Sequence, residues 1–236
     1  MRPLSTIALV CHAPGAKAEG FVVEKLPEIL GTCFAFRRSN FFLTAHHVIK
    51  SVDHSGLAIS FLTTPGLRVV TQVHVHPTAD VAILEAVDTQ TGTIEPFWDI
   101  VSNIHLGETF AAFGFPEDLV RGQSGGSPHR LFMGHYQRFM DYESVMGYRY
   151  VAGELNIPCP AGLSGGPLFR PEAPQMLTAL ATENVETSTW PESMEEEVRD
   201  GGTVRTTHRR IISYGVSVIL FHLLDWINEF VPPRQA

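Results

Sequence analysis

Short apolar runs, each about as long as one strand and separated by Gly, Pro, Asn and Asp, recur along the whole chain. They fall at 7–10, 32–36, 41–43, 57–62, 69–75, 81–86, 109–113, 130–135, 149–152, 167–170 and 176–181. They are rich in Val, Phe and Thr, types that suit a pleated and half-buried surface. Regular spacing of such runs predicts antiparallel barrels or a sandwich rather than an α/β repeat. Two helices are expected in the body of the fold. One is a short turn at 45–52. The other spans 216–230, where Val218, Ile219, Leu223, Leu224, Trp226, Ile227 and Phe230 make a broad apolar face before Pro232-Pro233 ends regular structure. The 236 residues, 44% hydrophobic and 18% charged, suffice for one two-barrel unit.

Charge narrows the partners. The net charge is −8 and no Lys/Arg cluster runs along any segment, which argues against nucleic acid and anionic membrane. No apolar stretch approaches the ~20 residues that a bilayer span needs.

Three segments carry the chemistry, in the order Leu43-Thr44-Ala45-His46-His47-Val48, Ala79-Asp80-Val81-Ala82-Ile83-Leu84 and Gly162-Leu163-Ser164-Gly165-Gly166-Pro167. They supply a base, a carboxylate that can orient it, and a nucleophile on a glycine-flanked turn. A serine hydroxyl is a poor nucleophile near neutral pH. A neutral imidazole within reach removes its proton during attack, and a carboxylate on the other ring nitrogen fixes the tautomer. This reading makes Ser164 the nucleophile, His47 the general base and then acid, and Asp80 the orienting group. The backbone N–H groups of Gly162 and Ser164 are expected to form the oxyanion hole, and glycine at 162 permits the turn that aims them inward.

These segments resemble those of the trypsin/chymotrypsin-fold serine peptidases, in texture the disulfide-free bacterial branch. The family's Thr-Ala-Ala-His is matched by Thr44-Ala45-His46-His47, which selects His47 rather than His46 as the base. Its Asp before an apolar strand matches Asp80, and its Gly-x-Ser-Gly-Gly-Pro matches Gly162 to Pro167. Gly31 to Phe36, Leu106-Gly107-Glu108 and Phe113 to Pro116 extend the likeness. The resemblance implies an all-β fold: two six-stranded antiparallel barrels, at 5–95 and 106–216, and a C-terminal helix over 217–230. The triad would assemble in the cleft between barrels. It also implies a serine endopeptidase that cleaves polypeptides through an acyl-enzyme and needs no cofactor or metal. The substrate pocket would be floored near Pro158 and Ala161, with Thr182 and Glu183 on one wall. No Asp stands at the floor position that selects Arg or Lys, and Glu183 is the remaining acid that would favour a basic side chain. The competing class is a catalytically silent binding or scaffold protein that keeps this fold; retention of all three triad residues argues against it. An α/β lipase is disfavoured because its nucleophile precedes its acid and its His.

Other residues were weighed against the same chemistry. Gly122-Gln123-Ser124-Gly125-Gly126 repeats the serine pattern, but Ser127-Pro128-His129-Arg130 follows it instead of an apolar strand. Ser124 is therefore expected in a loop. His74 and His76 have the spacing of metal ligands on one strand face, yet no third ligand lies near them in sequence; an exposed pair on an edge is expected. Cys159 has no companion motif for a thiol nucleophile. His46 departs from the family's alanine and is expected to point away from the site.

Two departures bear on regulation. The family's secreted members carry an Asp before the nucleophile, which pairs with an amino terminus freed by precursor cleavage; here that residue is Leu163, so activation by that switch is not expected. Second, 30 positions separate Asn184 from Tyr214, where the family has a short loop. A short helix is expected at 190–199, and seven carboxylates lie between Glu183 and Asp200. Residues 185–210 read as a solvated excursion, or as a lid that repels acidic substrates or docks a regulatory protein. The three cysteines, Cys11, Cys33 and Cys159, are odd in number and Val48 replaces the family's bridge-forming Cys, so a cytoplasmic location is expected. The alternative is export, with 1–18 as a signal peptide.

Overall fold

The computed structural model describes residues 5–15, 27–61, 66–87, 94–116, 129–199 and 202–233, with side chains outside 188–211. Six strands close the first barrel: β1 (Ile7–His12), β2 (Glu28–Ala35), β3 (Phe41–Thr44), β4 (Leu57–Ser60), β5 (Leu67–Val75) and β6 (Ala82–Ala86). Their order round the barrel is β1-β2-β3-β6-β5-β4, and β4 pairs back onto β1. Phe34, Phe42, Leu43, Leu57 and Ile59 are fully or almost fully buried in this unit. Closure leaves no free edge, so each backbone N–H and C=O of these strands can find a ladder partner.

The second unit contains β7 (Asp99–Ile100), β8 (Thr109–Gly114), β9 (Arg130–Glu143), β10 (Arg149–Leu155), β11 (Pro167–Arg170), β12 (Ala173–Arg199) and β13 (Gly202–Ile219). They form a seven-stranded sheet in the order β11-β8-β9-β10-β13-β12-β7, and a further β11–β12 pairing joins six of them into a ring. The seventh, β7, adds in parallel to β12 at Met176 and Leu177. Phe110, Tyr136, Leu155 and Leu168 fill its interior. The Tyr136 hydroxyl, the one polar tip among them, is matched by Thr178 Oγ1 at 2.7 Å.

The fold is mostly β, as the spacing of apolar runs predicts, but two expected helices change. The run at 216–230 is strand as far as Ile219, then a 3₁₀ turn at Leu220–Leu223, then α2 (Leu224–Phe230). Val216, Ser217 and Val218 are all fully buried: β10 and β12 flank β13 on its two edges, and its faces pack into separate apolar clusters, Val216 and Val218 in one and Ile219 in the other. A central strand with both faces covered gives a continuous apolar run that period alone does not separate from a helix. The helix expected at 190–199 is likewise absent. That segment is strand, paired with β13 as far as Arg199 opposite Gly202. β-Branched residues crowd both arms, from Thr187 and Val198 to Val204, Thr206, Thr207 and Ile211. The register also sets Glu196 opposite Arg205. Cross-strand pairing thus outweighs the helix-start pattern of Trp190-Pro191-Glu192. Beyond Gly215, β10 no longer pairs with β13, so this arm continues as a two-stranded ribbon.

Arg37 ties the carboxy-terminal helix to the first barrel. Its guanidinium donates to Asn228 Oδ1 (2.7 Å) and to the Val231 carbonyl (2.6 Å). No described helix is long and apolar enough to cross a membrane.

Candidate active site

Each of the three chemical segments ends a strand or begins one. β3 runs straight into α1 (His46–Ile49), whose first turn carries His46 and His47. Asp80 lies two residues before β6, on the next strand of the same barrel, because β3 and β6 are paired. Ser164 lies on the turn that precedes β11 in the other unit.

Asp80 grips His47 twice. Its Oδ1 accepts the His47 backbone N–H at 2.8 Å, and its Oδ2 lies 2.6 Å from His47 Nδ1. The carboxylate is 3% exposed. An ionised carboxylate only accepts, so the imidazole proton belongs on Nδ1 and Nε2 keeps its lone pair. His47, Gly162 and Ser164 line one cleft of about 550 Å³, together with Ile29, Val48 and Ala161. Within it, the Ser164 hydroxyl donates to the Thr182 carbonyl (2.7 Å).

The turn that carries Ser164 is held from below by the first barrel. Gly162 has φ +89° and Gly165 φ +84°, both left-handed. A Cβ on Gly165 would stand 2.1 Å from the Thr32 carbonyl oxygen and 2.4 Å from Thr44 Oγ1. Thr32 supports the turn through three bonds. Its N–H donates to the Ser164 carbonyl (3.1 Å), its hydroxyl donates to the Gly162 carbonyl (2.6 Å), and that hydroxyl accepts from Phe115 N–H (3.1 Å). Within the turn, Leu163 N–H and Gly166 N–H have carbonyl partners, whereas Gly162 and Ser164 N–H find no acceptor among the described residues. Leu163 itself is buried against the position of Gly114.

The residues assigned to the substrate pocket separate. Ala161 lines the cleft with His47 and Ser164, while Pro158 is exposed and outside that lining. Thr182 is fully buried, and its hydroxyl donates to the Val216 carbonyl (2.9 Å). Glu183 accepts from Tyr150 Oη at 3.3 Å. Burial pushes the Glu183 carboxyl above its usual range, against hydrogen bonds from Tyr142 and Tyr150 that pull it down. Burial also raises the Tyr142 hydroxyl, to about 12. Asn184 Oδ1, on the same strand, accepts Cys159 N–H (3.0 Å), which ties the segment expected as the pocket floor to the segment expected as its wall.

The secondary residues find specific places. His46 meets the Tyr148 hydroxyl at 3.0 Å through Nδ1. His74 and His76 are half-buried rather than exposed: His74 lies where β5 pairs with β6 alone, His76 just beyond the end of β5, and aromatic rings of α2 pack on both. His74 stacks on Phe230 at 4.1 Å and His76 meets the edge of Trp226 at 4.9 Å. Cys159 is buried, and that burial pushes its thiol up to about 12, which leaves it protonated and unreactive. Ser124 lies outside the described residues. Sequence reasoning missed Thr32 as a support and the two tyrosines on Glu183. Every one of those bonds spans 30 residues or more, and no local signal marks them.

Residues 31–176 match the family of trypsin-like peptidase domains. Comparison with curated proteins by sequence gives no match. Among solved structures, the chain is similar to the active form of the Rv3671c protease from M. tuberculosis, at TM-score 0.58 and 14% identity over 98% of this chain and 82% of that one. It is similar also to the protease domain of MamO from Magnetospirillum magneticum (0.58, 14%, 94% and 95%). The HtrA-type protease AlgW, solved with a tripeptide, gives 0.60 and 14% over 97% of this chain and 60% of its own. Identities this low speak for the fold alone. The matched segment covers more than half of the chain and includes His47, Asp80 and Ser164, so the chain belongs to the trypsin-like peptidase family, the serine endopeptidases of this double-barrel fold.

Proposed function

We propose that the protein cleaves polypeptides through an acyl-enzyme formed on Ser164, with His47 as base and acid and Asp80 as its orienting partner. The observation that carries this reading is the double grip of Asp80 on His47 within the cleft that Ser164 also lines. The Ser164 hydroxyl first turns about χ1 from the Thr182 carbonyl toward His47 Nε2. Nε2 takes the hydroxyl proton as Oγ attacks the scissile carbonyl, and the imidazolium then gives it to the leaving amine. Water repeats the sequence to release the acid. Charge developing on the carbonyl oxygen is met by the N–H groups of Gly162 and Ser164, each worth on the order of 3 kcal/mol in such sites.

Competence without precursor cleavage is part of this proposal, since the residue before the nucleophile is a buried leucine and not a carboxylate. A reducing, cytoplasmic setting is supported by three free and buried cysteines. Cleavage after Ala18 would also remove β1 from the closed barrel. Regulation by a protein partner is assigned to the 185–210 ribbon. Its deletion should change peptide selectivity or regulated activity, and unaltered kinetics on both counts dispose of that role.

Labelling with a fluorophosphonate tests the core reading. Wild type and Ser124→Ala should label, and Ser164→Ala should not. Loss of label in Ser124→Ala alone moves the nucleophile. A wild type that is folded but inert favours the silent scaffold.

A further inference from the structure

His76 has no part in the chemistry assigned so far, yet its ring makes the two bonds that shape the approach to Asp80. Nδ1 accepts the backbone N–H of Thr78 at 3.2 Å and of Ala79 at 2.8 Å, the two residues directly before Asp80. The His76 backbone N–H donates to the carbonyl of Val81, the residue directly after it (3.0 Å). One residue thus clamps the turn on both sides of the carboxylate. Arg149 N–H adds a bond to the Thr78 carbonyl from β10, and the edge of Trp226 packs on the ring from α2.

We propose that His76 is a positioning residue for Asp80, with its neutral imidazole, as acceptor of two backbone N–H groups, fixing the turn that aims the carboxylate at His47. Two donors converging on Nδ1 require its lone pair, so the ring proton resides on Nε2. In the imidazolium, Nδ1 carries a proton and faces two N–H groups that it can no longer accept. Both bonds are lost together and the turn is released.

Protonation is accordingly disfavoured in the folded protein. Burial holds the His76 ring below its ordinary value of 6.5, in the same direction as the two N–H bonds accepted by Nδ1. The titratable groups on the elements around it are Asp80 in its own turn, Arg68 and His74 on β5, Arg149, Tyr150 and Glu154 on β10, and Asp225 and Glu229 on α2. The sign follows from the lowered value: between it and 6.5 the unfolded chain binds more protons. The clamp therefore contributes fully above 6.5 and is lost as pH falls through the folded value.

This inference rests on the triad reading, so its test includes that reading. The measured quantity is the second-order rate of fluorophosphonate labelling at Ser164 as a function of pH. At neutral pH, His76→Leu should label about 100-fold slower, the loss that an ~1 Å misplacement of a catalytic group brings. His76→Asn should restore most of the rate, since an Asn oxygen accepts from the N–H groups two and three residues on. In acid, the wild-type rate should fall first with a slope of one and then of two, and His76→Asn with a slope of one throughout. A folded His76→Leu that labels like wild type, or a His76→Asn acid limb that superimposes on wild type, overturns the proposal. If His76→Leu does not fold, the His76→Asn comparison decides alone. Asp80→Asn separates the two failures: slow labelling there beside wild-type behaviour in the His76 variants sinks only the role of His76. Undiminished labelling in Asp80→Asn sinks the triad reading as well.

Discussion

Thr32→Val removes one oxygen and leaves a side chain of nearly the same shape, so its effects isolate the support beneath the nucleophile turn. The lost hydroxyl has two partners. Phe115 N–H lies at a residue that is fully buried, where no water replaces the missing acceptor. The Gly162 carbonyl belongs to a half-buried residue in the cleft, where water can take over the bond. An orphaned buried group costs about 1–3 kcal/mol and a solvated one much less, so the variant should lose about 2 kcal/mol in total. Urea unfolding should show this as a lower midpoint with an unchanged slope. The catalytic effect should be larger than the stability loss suggests. With that carbonyl untethered, the Gly162–Leu163 peptide between the two oxyanion donors can tilt and misalign the N–H groups of Gly162 and Ser164, a loss of about 100-fold in kcat with KM little altered. Steady-state kinetics on a peptide substrate, measured where the variant remains folded, check it. A variant that is 2 kcal/mol less stable with wild-type kcat would show that Thr32 holds the barrels together and does nothing for the oxyanion turn.

Three further changes test other parts of the structure. Gly165→Ala places a Cβ 2.1 Å from the Thr32 carbonyl oxygen at φ +84°, a clash with backbone that no rotamer relieves; soluble folded protein should be scarce and fluorophosphonate labelling lost. Arg37→Met strips the bonds to Asn228 and to the Val231 carbonyl, and thermal or urea unfolding should report a loss of about 2–3 kcal/mol, as for buried bonds made by a charged donor. Glu183→Gln should raise stability near neutral pH. Burial lifts the folded-state pKa of Glu183, so its contribution is full below the ordinary 4.5 and is lost as pH rises through the raised value. Unfolding midpoints of wild type and Glu183→Gln should therefore diverge as pH rises and converge in acid.

What could be read ahead of the structure follows from the range of the interactions that decide each feature. His47, Asp80 and Ser164 each stand in a local pattern of six residues, and each pattern keeps its meaning because it fixes a strand end or a turn. Strand positions were legible for the same reason: alternate burial and breaker residues act within a few positions. The carboxy-terminal run misled because both faces of Val216 to Ile219 are buried, Val216 and Val218 in one apolar cluster and Ile219 in the other, a fact about residues distant in sequence. At 190–199 a proper helix start met a partner arm, from Arg199 opposite Gly202 to Pro191 opposite Arg209, and pairing won over local preference. The site repeats this division. Side chains that react are visible one segment at a time, while those that hold them in place belong to other segments. Thr32 lies 130 residues from the glycine it tethers, and Tyr150 32 residues from Thr182. His76 is the instructive exception, since its two acceptor bonds reach only two and three residues along the chain. A histidine in the place where Asp or Asn would cap such a turn differs from them in one property, that it titrates near neutral pH. The same backbone geometry could have been held by an amide that does not titrate, and in this chain it is held by an imidazole whose protonation burial shifts to lower pH.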